Sequence, residues 1–191
     1  MTELERYQQW CEQAPLDEAG RAALAAMQND ETERKGCFGA ELQFGTAGIR
    51  GIMGIGTNRL NDFTVRRTAQ GLAAWLTSTE LPQRCAIGYD SRHNSRRYAE
   101  LCAVALAERG VHVYVYHELA PTPMLSFAVR QLGCGCGIVV SARTLLEAVV
   151  LIHKYCLNTL PHLYLHCCPP ISDRHIANHE KLPPRLLFLR H

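Results

Sequence analysis

The sequence lacks any apolar run near the roughly 18–20 residues that a membrane-spanning helix needs. It also lacks charge of one dominant sign. Twenty Lys and Arg against 18 Asp and Glu leave a formal net charge of +2, too small to point to nucleic acid or an anionic membrane as partner. The opening Met1-Thr2-Glu3-Leu4-Glu5-Arg6 has no apolar core of the secretory kind, so a cytoplasmic location is expected. Neither Gly-x-x-x-x-Gly-Lys nor Gly-x-Gly-x-x-Gly occurs, which disfavours a nucleotide-binding α/β protein. Glycine is missing after Gly137, although 14 glycines precede or include that position.

What is present is the composition of a globular protein: 47% hydrophobic and 20% charged residues in 191. That length suits one domain with a short appendage. The nine cysteines are odd in number, and a cytosolic chain keeps thiols reduced. Cys11, Cys37, Cys85 and Cys102 sit singly within apolar patterns and read as small buried hydrophobes.

Residues 3–30 have helical spacing through Leu4, Tyr7, Trp10 and Cys11. Pro15 interrupts them, and Asp17 is placed to cap a second helix through Leu24 and Met27. From Gly36 to Thr57 glycine is dense enough to predict a loop with unusual dihedrals or a close approach. A regular alternation follows. Asn61 or Asp62 caps a helix carrying Val65, Ala69, Leu72, Ala73 and Leu76. Cys85–Tyr89 reads as a buried strand ending at Asp90. Ser95 opens a helix closed by Gly110. Val111–Tyr116 is a strand by its β-branched and aromatic content. A short helix is expected near Leu125–Leu132, then a buried strand over Gly137–Ser141. This order predicts an α/β fold: a three-layer α/β/α domain with a mostly parallel sheet, preceded by N-terminal helices. The expected divisions are residues 1–35 (helical), 36–142 (the α/β/α domain) and 143–191 (an irregular tail).

In open parallel sheets, ligands bind beyond the carboxyl ends of the strands. Three segments should meet there: Phe44-Gly45-Thr46-Ala47-Gly48-Ile49-Arg50-Gly51, Gly88-Tyr89-Asp90-Ser91-Arg92-His93-Asn94-Ser95, and Ile138-Val139-Val140-Ser141-Ala142. Backbone N–H groups at a helix start, with the guanidinium groups of Arg50, Arg92 and Arg96, suit a phosphate; the competing reading is a set of turns and solvated arginines.

These segments resemble the signatures of the α-D-phosphohexomutase superfamily, in the branch of phosphopentomutase-like and bacterial phosphoglucomutase or phosphomannomutase enzymes. Thr57-Asn58-Arg59-Leu60-Asn61, Thr68-Ala69-Gln70-Gly71-Leu72 and Pro121-Thr122-Pro123 continue the match in order, across roughly residues 1–142. The resemblance implies a phosphosugar mutase. A phosphoserine gives its phosphoryl group to one hydroxyl of a hexose or pentose phosphate, and the bisphosphate intermediate returns the other phosphate. It further implies Mg²⁺ held by the phosphoserine and by an aspartate-rich loop of a second domain. Thr46, Arg50, Asp90, Arg92 and Ser141 are then the expected substrate- and phosphate-binding residues.

The family's serine loop reads Thr/Ser-Ala-Ser-His-Asn-Pro. Here Ser141-Ala142 matches its start, Arg143 stands at the phosphoserine position, and Thr144-Leu145-Leu146 replaces the rest. No catalytic residue is therefore expected, and this chain is not expected to bind Mg²⁺. The match stops inside a motif and glycine is lost there. That predicts an interrupted reading frame after Ala142, an inactive fragment without the later domains, and a non-homologous tail. The alternative is a non-catalytic sugar-phosphate-binding or regulatory fragment.

The tail holds six of the nine histidines. A helix is expected near Thr144–Leu157, its Leu145, Leu146, Val149, Val150, Leu151 and Ile152 covering apolar surface of the domain. His162, His166, Cys167, Cys168, His175 and His179 form a weak candidate for Zn²⁺.

Overall fold

A computed structural model describes residues 1–14, 16–45, 48–92, 94–144, 147–152 and 186–189, the last two segments and residues 142–144 as backbone. Three short helices come first: α1 (Glu3–Gln13), α2 (Glu18–Ala26) and α3 (Glu31–Phe38). Each starts where a short polar side chain caps it. Thr2 forms a reciprocal box with Glu5, Asp17 accepts from the Gly20 N–H at 2.8 Å, and Asp30 accepts from the Glu33 N–H at 2.9 Å. Their apolar faces close on one another through Tyr7, Trp10, Leu24, Cys37 and Phe38. Trp10 carries this cluster onto the α/β unit, its ring 5.0 Å from that of Phe63.

The α/β unit contains β1 (Phe44–Gly45), β2 (Gly48–Ile52), α4 (Asp62–Thr77), β3 (Arg84–Tyr89), α5 (Ser95–Glu108), β4 (His112–Tyr116), α6 (Thr122–Gln131), β5 (Cys136–Thr144), β6 (Glu147–Ile152) and β7 (Leu186–Leu189). The sheet order is β1-β2-β6-β5-β3-β4-β7. Its centre is parallel: β3 lies between β5 and β4, in register at Cys85↔Cys136 and Cys85↔Val113.

Alternation along β3 sorts the two faces. Cys85, Ile87 and Tyr89 join the cluster with Leu72, Leu76, Cys102 and Leu106 of α4 and α5, whereas Ala86 joins Leu125, Ala128 and Val129 of α6. The result is three layers, helices on both faces of the sheet, with the strand centre fully buried. No helix among the described residues is long and apolar enough to cross a membrane.

Four expectations need correction. The glycine-rich stretch is not one loop: its first residues end α3, and Phe44–Gly45 pairs antiparallel with Gly48–Ile49 as a hairpin. Glycine serves here because Gly48 has φ 113, a region that penalises a side chain. The helix expected near Thr144–Leu157 is instead strand over Glu147–Ile152, antiparallel to both β5 and β2. β-branched Val149, Val150 and Ile152 favour that state, and it satisfies the backbone groups along the facing edges of β2 and β5. Two pieces of the tail, β6 and β7, thus join the sheet. Finally, Cys11 is exposed rather than buried, whereas Cys37, Cys85 and Cys102 are buried as expected.

Candidate phosphate-binding rim

The carboxyl ends of β3 and β5 lie side by side. Tyr89 pairs with Val140, and the Asp90 N–H donates to the Val140 carbonyl at 3.2 Å. Asp90 is therefore the first residue past the end of β3, next to Ser141. The Ser141 hydroxyl donates to Asp90 Oδ2 at 2.7 Å. The other carboxylate oxygen, Oδ1, accepts from the Ser95 hydroxyl at 2.7 Å and from the Arg92 N–H at 3.1 Å. Arg92 Nε lies 3.4 Å from Asp90 Oδ2 as an ion pair. One carboxylate thus ties together β3, β5, the connecting loop and the start of α5.

The loop needs unusual backbone to do this. Asn94 is the sole non-glycine with positive φ among the described residues, at 66°, and it sits immediately before α5. Asparagine tolerates that left-handed conformation better than most residues. The turn lets Ser95 enter the helix with its side chain under the loop, fully buried, against Asp90.

Arg50 belongs to the same edge by register. It pairs with Val149 of β6, and Val149 pairs with Ser141 of β5. Residues in one cross-strand row share a face, so Arg50 and Ser141 lie two strand spacings apart, about 10 Å. Arg50 is exposed. The register between β5 and β6 slips between Ser141 and Thr144, placing a bulge at Ala142–Arg143. Bulges concentrate beside active sites, where they re-aim a side chain, and this one falls at the position where the resemblance expects the phosphoserine.

Of the expected site residues, the structure gathers Asp90, Arg92 and Ser141 in direct contact and sets Arg50 in line with them. Thr46 lies outside the described residues, as do the tail histidines and cysteines considered for Zn²⁺. Arg96 does not join the cluster through Asp90; its Nε pairs with Glu100 at 3.0 Å on an exposed helix face. Ser95 is the contributor that sequence reading missed. It was legible as a helix start, but its bond to a residue five positions back depends on the left-handed turn.

The described residues do not suit the Mg²⁺ that the resemblance implies. Both Asp90 oxygens are already engaged by hydroxyl, amide and guanidinium groups, and no group of three His, Cys, Asp or Glu suited to a metal occurs among the described residues. A hard divalent cation wants several oxygen ligands, and the side chain of Arg143 has no oxygen to offer.

Known proteins resemble this chain over its α/β unit. Mouse phosphopentomutase is 39% identical over 145 residues, covering 70% of this chain and 23% of the mouse protein. Phosphoglucomutase of Staphylococcus aureus (strain USA300) is 44% identical over 115 residues, covering 60% of this chain and 21% of that enzyme. The crystal structure of a "putative phosphomannomutase" from Thermus thermophilus superposes with a TM-score of 0.55 at 27% identity, covering 60% of this chain and 26% of that one. The chain thus spans about a fifth to a quarter of the length of these relatives. Residues 41–144 match the family description "Phosphoglucomutase/phosphomannomutase, alpha/beta/alpha domain I", two residues beyond the boundary expected from the motifs. This chain belongs to the phosphoglucomutase/phosphomannomutase family, through its α/β/α domain I.

Proposed function

We propose that this chain carries the domain I part of a phosphosugar mutase site and binds the phosphate of a hexose or pentose phosphate without accepting its phosphoryl group. The observation that carries the reading is the Asp90 hub, which holds Arg92 at the carboxyl edge of the sheet beside Ser141, with Arg50 in the same cross-strand row. Guanidinium groups suit phosphate because their planar forks donate two parallel hydrogen bonds. The relatives' names supply the sugar class: phosphopentomutase and phosphoglucomutase.

The non-catalytic half of the reading rests on Arg143. A mutase of this family needs a hydroxyl there that forms a phosphate ester and gives it back. A guanidinium has only N–H donors and no hydroxyl oxygen to esterify. This favours the reading of a sugar-phosphate-binding fragment, acting in the cytoplasm on a small molecule rather than on nucleic acid or membrane. The division into a helical segment, a domain over 36–142 and a non-homologous tail belongs to the same proposal.

The test combines turnover and binding on the purified chain. With glucose 1-phosphate, mannose 1-phosphate or ribose 1-phosphate and a sugar bisphosphate primer, we expect no interconversion and no gain of a phosphoryl group in the protein's intact mass. Calorimetry with the same sugar phosphates should show saturable binding that Arg92→Ala weakens. Turnover would overturn the non-catalytic assignment, and a wild-type chain that binds none of these ligands would overturn the phosphate site itself.

A further inference from the structure

An aspartate beside a phosphate site poses an electrostatic problem, because like charges repel most strongly where water is scarce. Here the carboxylate is saturated by donors. Ser95 and the Arg92 N–H occupy Oδ1, while Ser141 and the Arg92 guanidinium occupy Oδ2. Of these, Ser95 is the buried one: the residue has no exposed surface, so water cannot take its place. Asp90 and Arg92 side chains are 31% and 44% exposed, and an ion pair that open is individually weak. Such a pair does not hold a guanidinium in one orientation unless something fixes the carboxylate. Ser95 is rooted in α5, which packs on the sheet through Tyr98, Leu101 and Cys102, so its hydroxyl is fixed by the core.

We infer that Ser95 is a positioning residue for the phosphate site proposed above, and the inference rests on that reading. Its hydroxyl, together with Ser141 and the Arg92 N–H, holds the Asp90 carboxylate in one rotamer. Asp90 then biases the orientation of Arg92 through the ion pair at Nε, so that the guanidinium meets an incoming phosphate partly pre-oriented. Without the hydroxyl the carboxylate keeps its bonds from Ser141 and the Arg92 N–H but loses its fully buried anchor, so the orientation it imposes on Arg92 loosens and its negative field is less neutralised at the phosphate. Arg92 would still be present and still cationic; what is lost is pre-organisation.

The experiment uses the full chain with Ser95→Ala, Ser95→Thr, Arg92→Ala and the Ser95→Ala/Arg92→Ala pair. Two probes are titrated by calorimetry: inorganic phosphate and glucose 1-phosphate. Ser95→Ala should weaken both about fivefold, the scale of one net hydrogen bond, and Ser95→Thr should restore them to within about twofold. In the Arg92→Ala background, removing the Ser95 hydroxyl should change nothing further. A loss that persists undiminished in that background would overturn the inference, because Ser95 would then be acting on the fold and not through Arg92.

A second readout does not depend on ligand. The NMR cross-peak of the Arg92 Nε–H should exchange faster with water in Ser95→Ala and recover in Ser95→Thr. Asp90→Asn supplies the same test if Ser95→Ala does not fold, since it removes the charge that holds Nε. An Arg92 signal indifferent to these substitutions overturns the positioning role even where phosphate binds. A wild-type chain that binds neither probe overturns the proposed function, and the Arg92 signal still decides what Ser95 does.

Discussion

Truncating Asp90 to alanine removes one acceptor and strands several donors, and the consequences can be worked out group by group. Ser95 is fully buried, so its hydroxyl would be left without a partner and without water, at a cost of about 1–3 kcal/mol. Ser141 is half-buried and recovers part of its loss by hydration, leaving about 1 kcal/mol. The ion pair with Arg92 is open to solvent and adds at most about 1 kcal/mol. The sum is about 3 kcal/mol within a range of about 2–5, a large part of the 5–15 kcal/mol typical of a folded domain. For a chain of this size it corresponds to a fall in Tm of about 6–12 °C.

The sharper expectation concerns the double variant. Removing Ser95 along with Asp90 removes the stranded hydroxyl, so Asp90→Ala/Ser95→Ala should be more stable than the sum of the single losses predicts, by about 1–2 kcal/mol. Urea unfolding reports this through the fluorescence of Trp10 and Trp75, both buried, one in the helical cluster and one in the α/β core. Losses that add to within about 0.5 kcal/mol would refute the claim that the buried hydroxyl depends on the carboxylate.

Gly56→Ala should be far more damaging than Gly133→Ala. Gly56 has φ +123 and a Cβ there would lie 2.4 Å from the Cys37 carbonyl oxygen, which also accepts from the Asn58 N–H; Gly133 has φ +59 and open space around it. Backbone strain alone costs about 1–2 kcal/mol at Gly133, whereas the clash should raise the loss at Gly56 to about 3 kcal/mol or more, and equal shifts in Tm would sink that distinction. Alkaline pH should destabilise the chain. Burial holds the Cys102 and Cys134 thiols up to about 12, from 9.0. The native state keeps protons that the unfolded state releases, so this contribution is complete below about pH 9 and is lost as pH rises toward 12. The urea midpoint should fall between about pH 7.5 and about pH 10.5, and Cys102→Ala should reduce that fall; an unchanged pH dependence would count against burial as the cause.

Much of this molecule was legible in its residues because the signals were local. Asp17 and Asn61 announced helix starts by a chemistry that acts within three residues, and both cap as expected. Val113, Val115 and the apolar run through Ile87 described buried strands whose periodicity needs no partner to be read. The motif order likewise pointed to the family and to the edge of the sheet where Asp90, Arg92 and Ser141 meet.

Tertiary structure decided the rest, for reasons of distance. Glycine density could not distinguish a loop from a hairpin, because the pairing of Phe44 with Ile49 is a fact about two segments. Residues 147–152 carry a pattern compatible with either helix or strand, and the choice went to strand where β2 and β5 each presented an open edge. The same applies to Ser95. Its residue type and position named it as a helix start, but only the left-handed Asn94 and the packing of α5 on the sheet bring its hydroxyl to Asp90. Local propensity determined which elements form. The long-range satisfaction of buried polar groups determined where they went and which side chains became the site.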